Sequence, residues 1–340
     1  MRGPRGFAAL GALLLLMILL VVFGTAGWYL EKGREPLLLV MEGPSPGQQG
    51  MFRIYTVKPD GTDKKLVASD AGTPSWTPDG RIIYVAGLTS SARQIWIAEA
   101  DGSNARQVGS LKAGIDPLMP QLGKNGVIVF MGTDELSAPE ENQGIYMMQE
   151  DGSGLRVLTR GMQPFLAASG TWVAYTYQTN DPYHRQIWRI NTDGSGKKQL
   201  TYLGDPDYPD ANAPAISPDE KWVAFFSGKE SDKMTENPSQ PITTWGHRNV
   251  AITPADGGDR KTLTSCVPVT TEAQLRDASE DRDRCIAADN PAWAPDGSYL
   301  IFDVGMVGRG GTETWRVDKD GTDFGPYYPA SRGIVRVPLM

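Results

Sequence analysis

From residue 37 onward the apolar positions come in short runs, each broken by a turn-forming pair. Asp-Gly stands at 60–61, 101–102, 151–152, 193–194, 256–257 and 320–321. An apolar segment precedes each one: Phe52–Val57, Ile95–Ala98, Ile145–Met148, Ile187–Ile190, Val250–Thr253 and Thr314–Val317. A polar-then-apolar stretch follows, such as Lys64-Lys65-Leu66-Val67 or Lys198-Gln199-Leu200-Thr201; the sixth copy, Phe324 to Tyr328, matches least well. Between these lies a second motif: Pro-x-(Trp/Leu/Ile), a turn, then a run ending in an aromatic. Its clearest copies run from Pro74 through Trp76 and Gly80 to Tyr84, and from Pro291 through Trp293 and Gly297 to Phe302. Degenerate copies start at Pro120, Pro164 and Pro214 and end at Phe130, Tyr175 and Phe225. Asp-Gly and Asn-Gly favour hairpin turns because both central residues tolerate positive φ. Runs rich in β-branched and aromatic residues suit strands. Six such units of four strands predict an all-β fold, a six-bladed β-propeller with four-stranded blades over residues 37–340.

The full pattern is Pro-x-Trp-(Ser/Thr/Ala)-Pro-Asp-Gly-x-x-Ile-x-Phe, then Ile-Trp-x-x-x-x-Asp-Gly-x-x-x-x-Leu-Thr. It resembles the repeat of TolB-type β-propellers, over all of 37–340. The resemblance implies the fold and leaves the function open, because propellers of this kind include interaction modules, lyases, hydrolases and peptidase-associated domains. TolB itself carries an α/β domain ahead of its propeller. Here only about six residues separate the first strand from the apolar N-terminal stretch.

The two chain ends are expected to close the ring. Leu37–Val40 aligns with Ile82–Tyr84, the second strand of its unit, so unit one lacks an innermost strand. The spare β-rich run 333–339 is the candidate to supply it, leaving no open sheet edge. With strands a to d counted outward, the a–b and c–d turns share one face, here the turn face. The b–c loops and d–a crossovers share the opposite, loop face. The long connections, 42–51, 109–119, 131–143, 202–213, 228–248, 265–290 and 305–312, all fall on the loop face. With the shorter connections of that face they hold about 20 acids against about 11 bases. Variable loops on a rigid scaffold are where binding usually resides.

Residues 7–30 carry no charge, and 24 helical residues at about 1.5 Å each span the ~30 Å hydrocarbon core. Arg2 and Arg5 precede this stretch, while Glu31, Lys32, Arg34 and Glu35 follow and cancel. The positive-inside rule then makes 1–6 a cytoplasmic stub, 7–30 a transmembrane signal anchor and 31–36 a short tether. The propeller is expected on the extracytoplasmic side of the cell membrane, its turn face toward the bilayer. The alternative is a secreted protein cleaved near Gly24-Thr25-Ala26.

Charge narrows the choice of partner. Overall there are 33 Lys and Arg against 40 Asp and Glu, and 1–30 hold Arg2 and Arg5 but no acid. The exported part is therefore acidic, which argues against nucleic acid as a partner. Two His and two Cys leave little material for a His-rich or Cys-based metal centre. Cys266 and Cys285 are expected to form a disulfide across their insertion, contributing on the order of 3 kcal/mol; two free thiols are the alternative. His184 and His247 lie on the loop face of adjacent units, with Trp245 beside the second. They form either a small ligand or metal site or two unrelated loop histidines. Asp205, Asp207 and Asp210 offer oxygen ligands to calcium, against the plainer reading of a solvated loop. No catalytic residue, cofactor or catalytic metal is indicated. The function expected is a non-enzymatic module that binds an envelope protein, peptide or glycan through its acidic loop face. A propeller enzyme of lyase or hydrolase type and a ligand-sensing ectodomain are the alternatives.

Overall fold

The computed structural model describes residues 37–43, 51–58, 62–90, 92–112, 114–133, 143–178, 184–202, 210–229, 247–266, 288–294, 296–306 and 311–326. Those residues form six antiparallel sheets, the blades of an all-β propeller. Blade 1 has three strands, β1 (Leu38–Glu42), β2 (Arg53–Val57) and β3 (Lys65–Ser69). Blade 2 holds β4 (Ala71–Trp76), β5 (Ile82–Ala86), β6 (Gln94–Ala98) and β7 (Arg106–Gln107). Blade 3 holds β8 (Asp116–Leu122), β9 (Val127–Thr133), β10 (Gly144–Gln149) and β11 (Arg156–Arg160). Blade 4 holds β12 (Met162–Leu166), β13 (Trp172–Gln178), β14 (Arg185–Asn191) and β15 (Lys198–Gln199). Blade 5 holds β16 (Asp210–Ile216), β17 (Trp222–Lys229), β18 (His247–Pro254) and β19 (Lys261–Thr262). Blade 6 holds β20 (Ala288–Trp293), β21 (Tyr299–Met306), β22 (Gly311–Asp318) and β23 (Gly325–Pro326). Among the described residues there is no helix, and the anchor expected at 7–30, the tether at 31–36 and the closing strand at 333–339 lie outside them.

The run-ending aromatics make the core. Tyr84, Phe130, Tyr175, Phe225 and Phe302 occupy one register position on the second strands of blades 2–6, and all are at most 3% exposed. Val40 holds that position in β1, opposite Tyr55. Blade 1 thus begins at the second strand, as its sequence alignment implies. The Trp76 and Trp293 of the proline motif are buried between blades, and Trp293 Nε1 donates to Ala215 O of blade 5 at 3.0 Å.

The innermost strands share an irregularity. β4, β8, β12, β16 and β20 each pack against the neighbouring blade and each carries a bulge. In every bulge the residue before the motif proline is left-handed: Thr73, Met119, Gln163, Ala213 and Asn290, with φ between 44° and 54°. Proline cannot donate to a ladder, so it belongs at bulges and free edges. Each motif proline sits in such a bulge, on a strand that pairs on one side only.

On the turn face the Asp-Gly turns fasten the blades to one another. The first residue of each outer strand in blades 1–5 is a base in the same register: Lys65, Arg106, Arg156, Lys198 and Lys261. Each addresses the turn of the next blade. Arg106 pairs with Glu150 at 2.6 Å, and Arg156 donates to Thr192 O at 2.7 Å. Lys198 donates to Asp256 O at 2.5 Å and Lys261 to Asp320 O at 2.7 Å. Lys65 acts on Asp101 through its charge. In blade 6 the position is Gly325, opposite Arg316.

Candidate functional site

The loop face of blades 4 and 5 holds His184, His247 and Asp210, three of the residues singled out by sequence. His184-Arg185-Gln186-Ile187 and His247-Arg248-Asn249-Val250 open the third strands of adjacent blades in the same register. The two histidines are therefore equivalent positions of one repeat. The polar residue that follows each arginine ties the third strand to the crossover beyond it. Gln186 Oε1 accepts from Thr201 Oγ1 at 2.7 Å, and the Ile187 amide donates to the same hydroxyl at 2.9 Å. In blade 5, Asn249 Oδ1 accepts from Thr264 Oγ1 at 2.8 Å and from the Cys266 amide at 2.7 Å. These buried bonds hold the loop-face ends of both blades, because an unmade partner there would cost about 1–3 kcal/mol.

Asp210 belongs to this construction rather than to a solvated loop. It is the first residue of the inner strand β16, is 6% exposed, and accepts the Arg185 amide at 2.8 Å. His184 Nδ1 lies 3.5 Å from the same carboxylate oxygen. Asp116 has the same place in blade 3, three residues before the left-handed residue, and pairs with Arg93 Nη1 at 2.9 Å. Arg93 is the register equivalent of Arg185. The acid at the loop-face end of an inner strand thus braces the preceding blade. Ahead of blade 4 the corresponding sequence position is Arg160, the last residue of β11, and ahead of blade 2 it is Asp70, which turns instead to Thr89, accepting its amide at 3.0 Å and hydroxyl at 2.9 Å.

The structure joins His184 to Asp210 and puts His247 in the matching place on β18, opposite Lys229. Trp245, Asp205, Asp207 and Cys285 lie outside the described residues, and Cys266 is 4% exposed. Among the described residues no group of three metal-binding side chains converges. The brace Asp116–Arg93 was not singled out from sequence. Counting back three residues from each pre-proline position exposes Asp70, Asp116 and Asp210 together, so the signal was present. Chemically, a half-buried imidazole beside a buried carboxylate orients a ring for hydrogen bonding. The carboxylate is already engaged by a backbone amide.

No protein-family model matches the chain, and no curated protein does. Solved structures do. TolB from Acinetobacter baumannii superposes with a TM-score of 0.60 at 19% identity, over 89% of this chain and 65% of that one. This chain therefore spans just under two thirds of that relative. A putative TolB from Agrobacterium tumefaciens matches with a TM-score of 0.54 at 14% identity, over 82% and 89% of the two chains. A puromycin hydrolase S511A mutant matches with a TM-score of 0.56 at 15% identity, over 86% of this chain and 44% of its own. At such identities the likeness is one of fold.

Proposed function

We propose, for a chain that folds as a TolB-like six-bladed propeller, a role as an extracytoplasmic binding module held at the cell membrane by residues 7–30. Its loop face engages an envelope protein or peptide, or a glycan, without chemistry of its own. The observation that carries this reading is the use of Asp116 and Asp210. Both sit at the loop-face ends of inner strands, and both brace one blade to the next. The charge at that face serves a stiff frame, and the long acidic connections between the strands are what the frame presents. The orientation follows from the tether. About six extended residues reach at most ~20 Å, so the turn face lies toward the bilayer and the loops point away. Closure of the ring by 333–339 is supported by the absence of a fourth strand in blade 1 among the described residues. The Cys266–Cys285 link is supported by the burial of Cys266. Calcium at Asp205 and Asp207 is a subsidiary reading.

The test is a capture experiment with the tagged full chain from native envelope, run beside two variants. In one, 203–209 and 231–246 are exchanged for Gly/Ser segments of equal length. In the other, Asp101 and Asp193 on the turn face become Asn. A partner lost with the loop variant and kept with the turn variant is expected. Retention by the loop variant would overturn the assignment.

A further inference from the structure

The turn-face groove between blades 4 and 5 is filled by a side chain of the protein itself. Arg189 of β14 lies over the Trp172 ring, 4.3 Å from its centroid. Its Nη1 donates to Ala255 O at 2.8 Å and to Asp256 Oδ1 at 2.7 Å, both on the Asp-Gly turn of blade 5. Blade 6 repeats the stacking, with Arg316 4.4 Å from the Tyr299 centroid. Strand register makes Trp172, Trp222 and Tyr299 one position, and Arg189, Ile252 and Arg316 another. Between blades 5 and 6, then, the aromatic ring is kept as Trp222 and the turn acid as Asp320. The position held by Arg189 in blade 4 is held here by Ile252. What remains is an open cavity of 430 Å³, lined among others by Trp222, Ile252, Lys261, Asp318 and Asp320. That falls within the range of about 300–1,000 Å³ usual for small-ligand sites.

We infer that this groove is a receptor for an arginine side chain of a partner protein, seated as Arg189 is seated next door. The lysine at its rim does not oppose a guanidinium. Lys261 holds Asp320 O just as Lys198 holds Asp256 O, and Lys198 coexists with Arg189. The added cation is Lys319, which stands where blade 5 has Ala255. It reaches across from the blade 6 turn to place Nζ 4.6 Å from the Trp222 centroid. Lys319 is a stand-in, a single ammonium on a flexible stem over a ring that takes a planar guanidinium better. Arginine stacks on an indole and forks its N–H groups toward a carboxylate, which lysine cannot do. The site is distinct from the loop face and lies on the opposite side of the propeller.

The test uses the purified full chain and N-acetyl-arginine methylamide, with the lysine and citrulline analogues as controls, titrated by calorimetry. Arginine should bind at least about tenfold more tightly than citrulline, which matches it in shape but is neutral and carries a carbonyl oxygen in place of one terminal N–H donor group. Lys319→Ala removes the stand-in and should tighten arginine binding severalfold. Ile252→Arg supplies a counterpart of Arg189 in cis and should abolish binding while leaving the protein folded, as a melting curve will report. Trp222→Ala should weaken binding at least about tenfold. Equal affinity for citrulline, weaker binding by the Lys319→Ala protein, or undiminished binding by a folded Ile252→Arg protein would each overturn the assignment.

Discussion

Glu220 occupies a place that the sequence reserves for glycine. The corresponding a–b turns of blades 2, 3, 4 and 6 use Gly80, Gly126, Gly170 and Gly297, all at positive φ, whereas Glu220 holds φ 57°. Its carboxylate explains the exception. It accepts the Ser169 amide at 2.8 Å, the Ser169 hydroxyl at 3.0 Å and Trp172 Nε1 at 3.0 Å, all from blade 4. Glu220→Ala should therefore lose about 2 kcal/mol of stability, because bonds to a charged group go and the backbone cost stays. Glu220→Gly should lose about 1 kcal/mol less, since glycine adopts that φ freely. Urea unfolding of the two variants decides the order. The turn aspartates give a second prediction. Asp101, Asp151, Asp193 and Asp320 are held below the usual carboxylate range by the side chains, then the amides, of Ser103, Ser153, Ser195 and Thr322. A folded pKa below the unfolded one gives stability that is complete above about pH 4 and lost as pH falls through the depressed values. The urea midpoint should drop as the pH falls below about 4. Replacing all four by Asn, which keeps the turn and cannot titrate, should flatten that slope. An unchanged slope would assign the acid sensitivity elsewhere.

Among the elements, the five inner-strand bulges carry the most stored backbone cost. Ala213 shows it most simply, since it sits at φ 49° with only a methyl group to defend the position. Ala213→Gly should stabilise blade 5 by about 0.5–1 kcal/mol, relief of the left-handed strain outweighing glycine's extra unfolded freedom. A loss of stability in thermal melts would show that the methyl packs more than it strains. At these bulges the sequence pattern carries no signal of the strand's irregularity. The strands and turns were legible because Asp-Gly and the buried aromatics recur in register, and each local preference agrees with the fold. The bulges were not, because alternation has no sign for an extra residue and the proline alone marks the place. At the candidate site the pairing of His184 with Asp210 depends on a contact between blades, which no spacing within one repeat encodes. The placing of Asp210 in a loop failed for the same reason: Pro209 precedes it and two further acids stand nearby, so its burial in β16 had no local signature.

At the scale of the whole molecule, the blades are joined by packing and by the row of bases that grip each following turn. That row ends at Gly325, and the first blade has three strands among the described residues. The meeting of blades 6 and 1 therefore depends on whatever else crosses it, and 333–339 is the segment proposed to do so. Deleting 333–340 should lower the melting temperature sharply or cause aggregation, because each inner-edge group left without a partner costs about 1–3 kcal/mol. An unchanged melting temperature would show that the ring is closed otherwise. Blade 1 is also the blade that follows residues 31–36, the segment proposed as the tether. A pull on a partner held as proposed would travel through the propeller to residue 37, and so through the meeting of blades 6 and 1. Under tension the ring should part there as a clasp does, before any blade unravels. Single-molecule pulling from the N-terminus should then record a small early extension, followed by the larger release of the sheets.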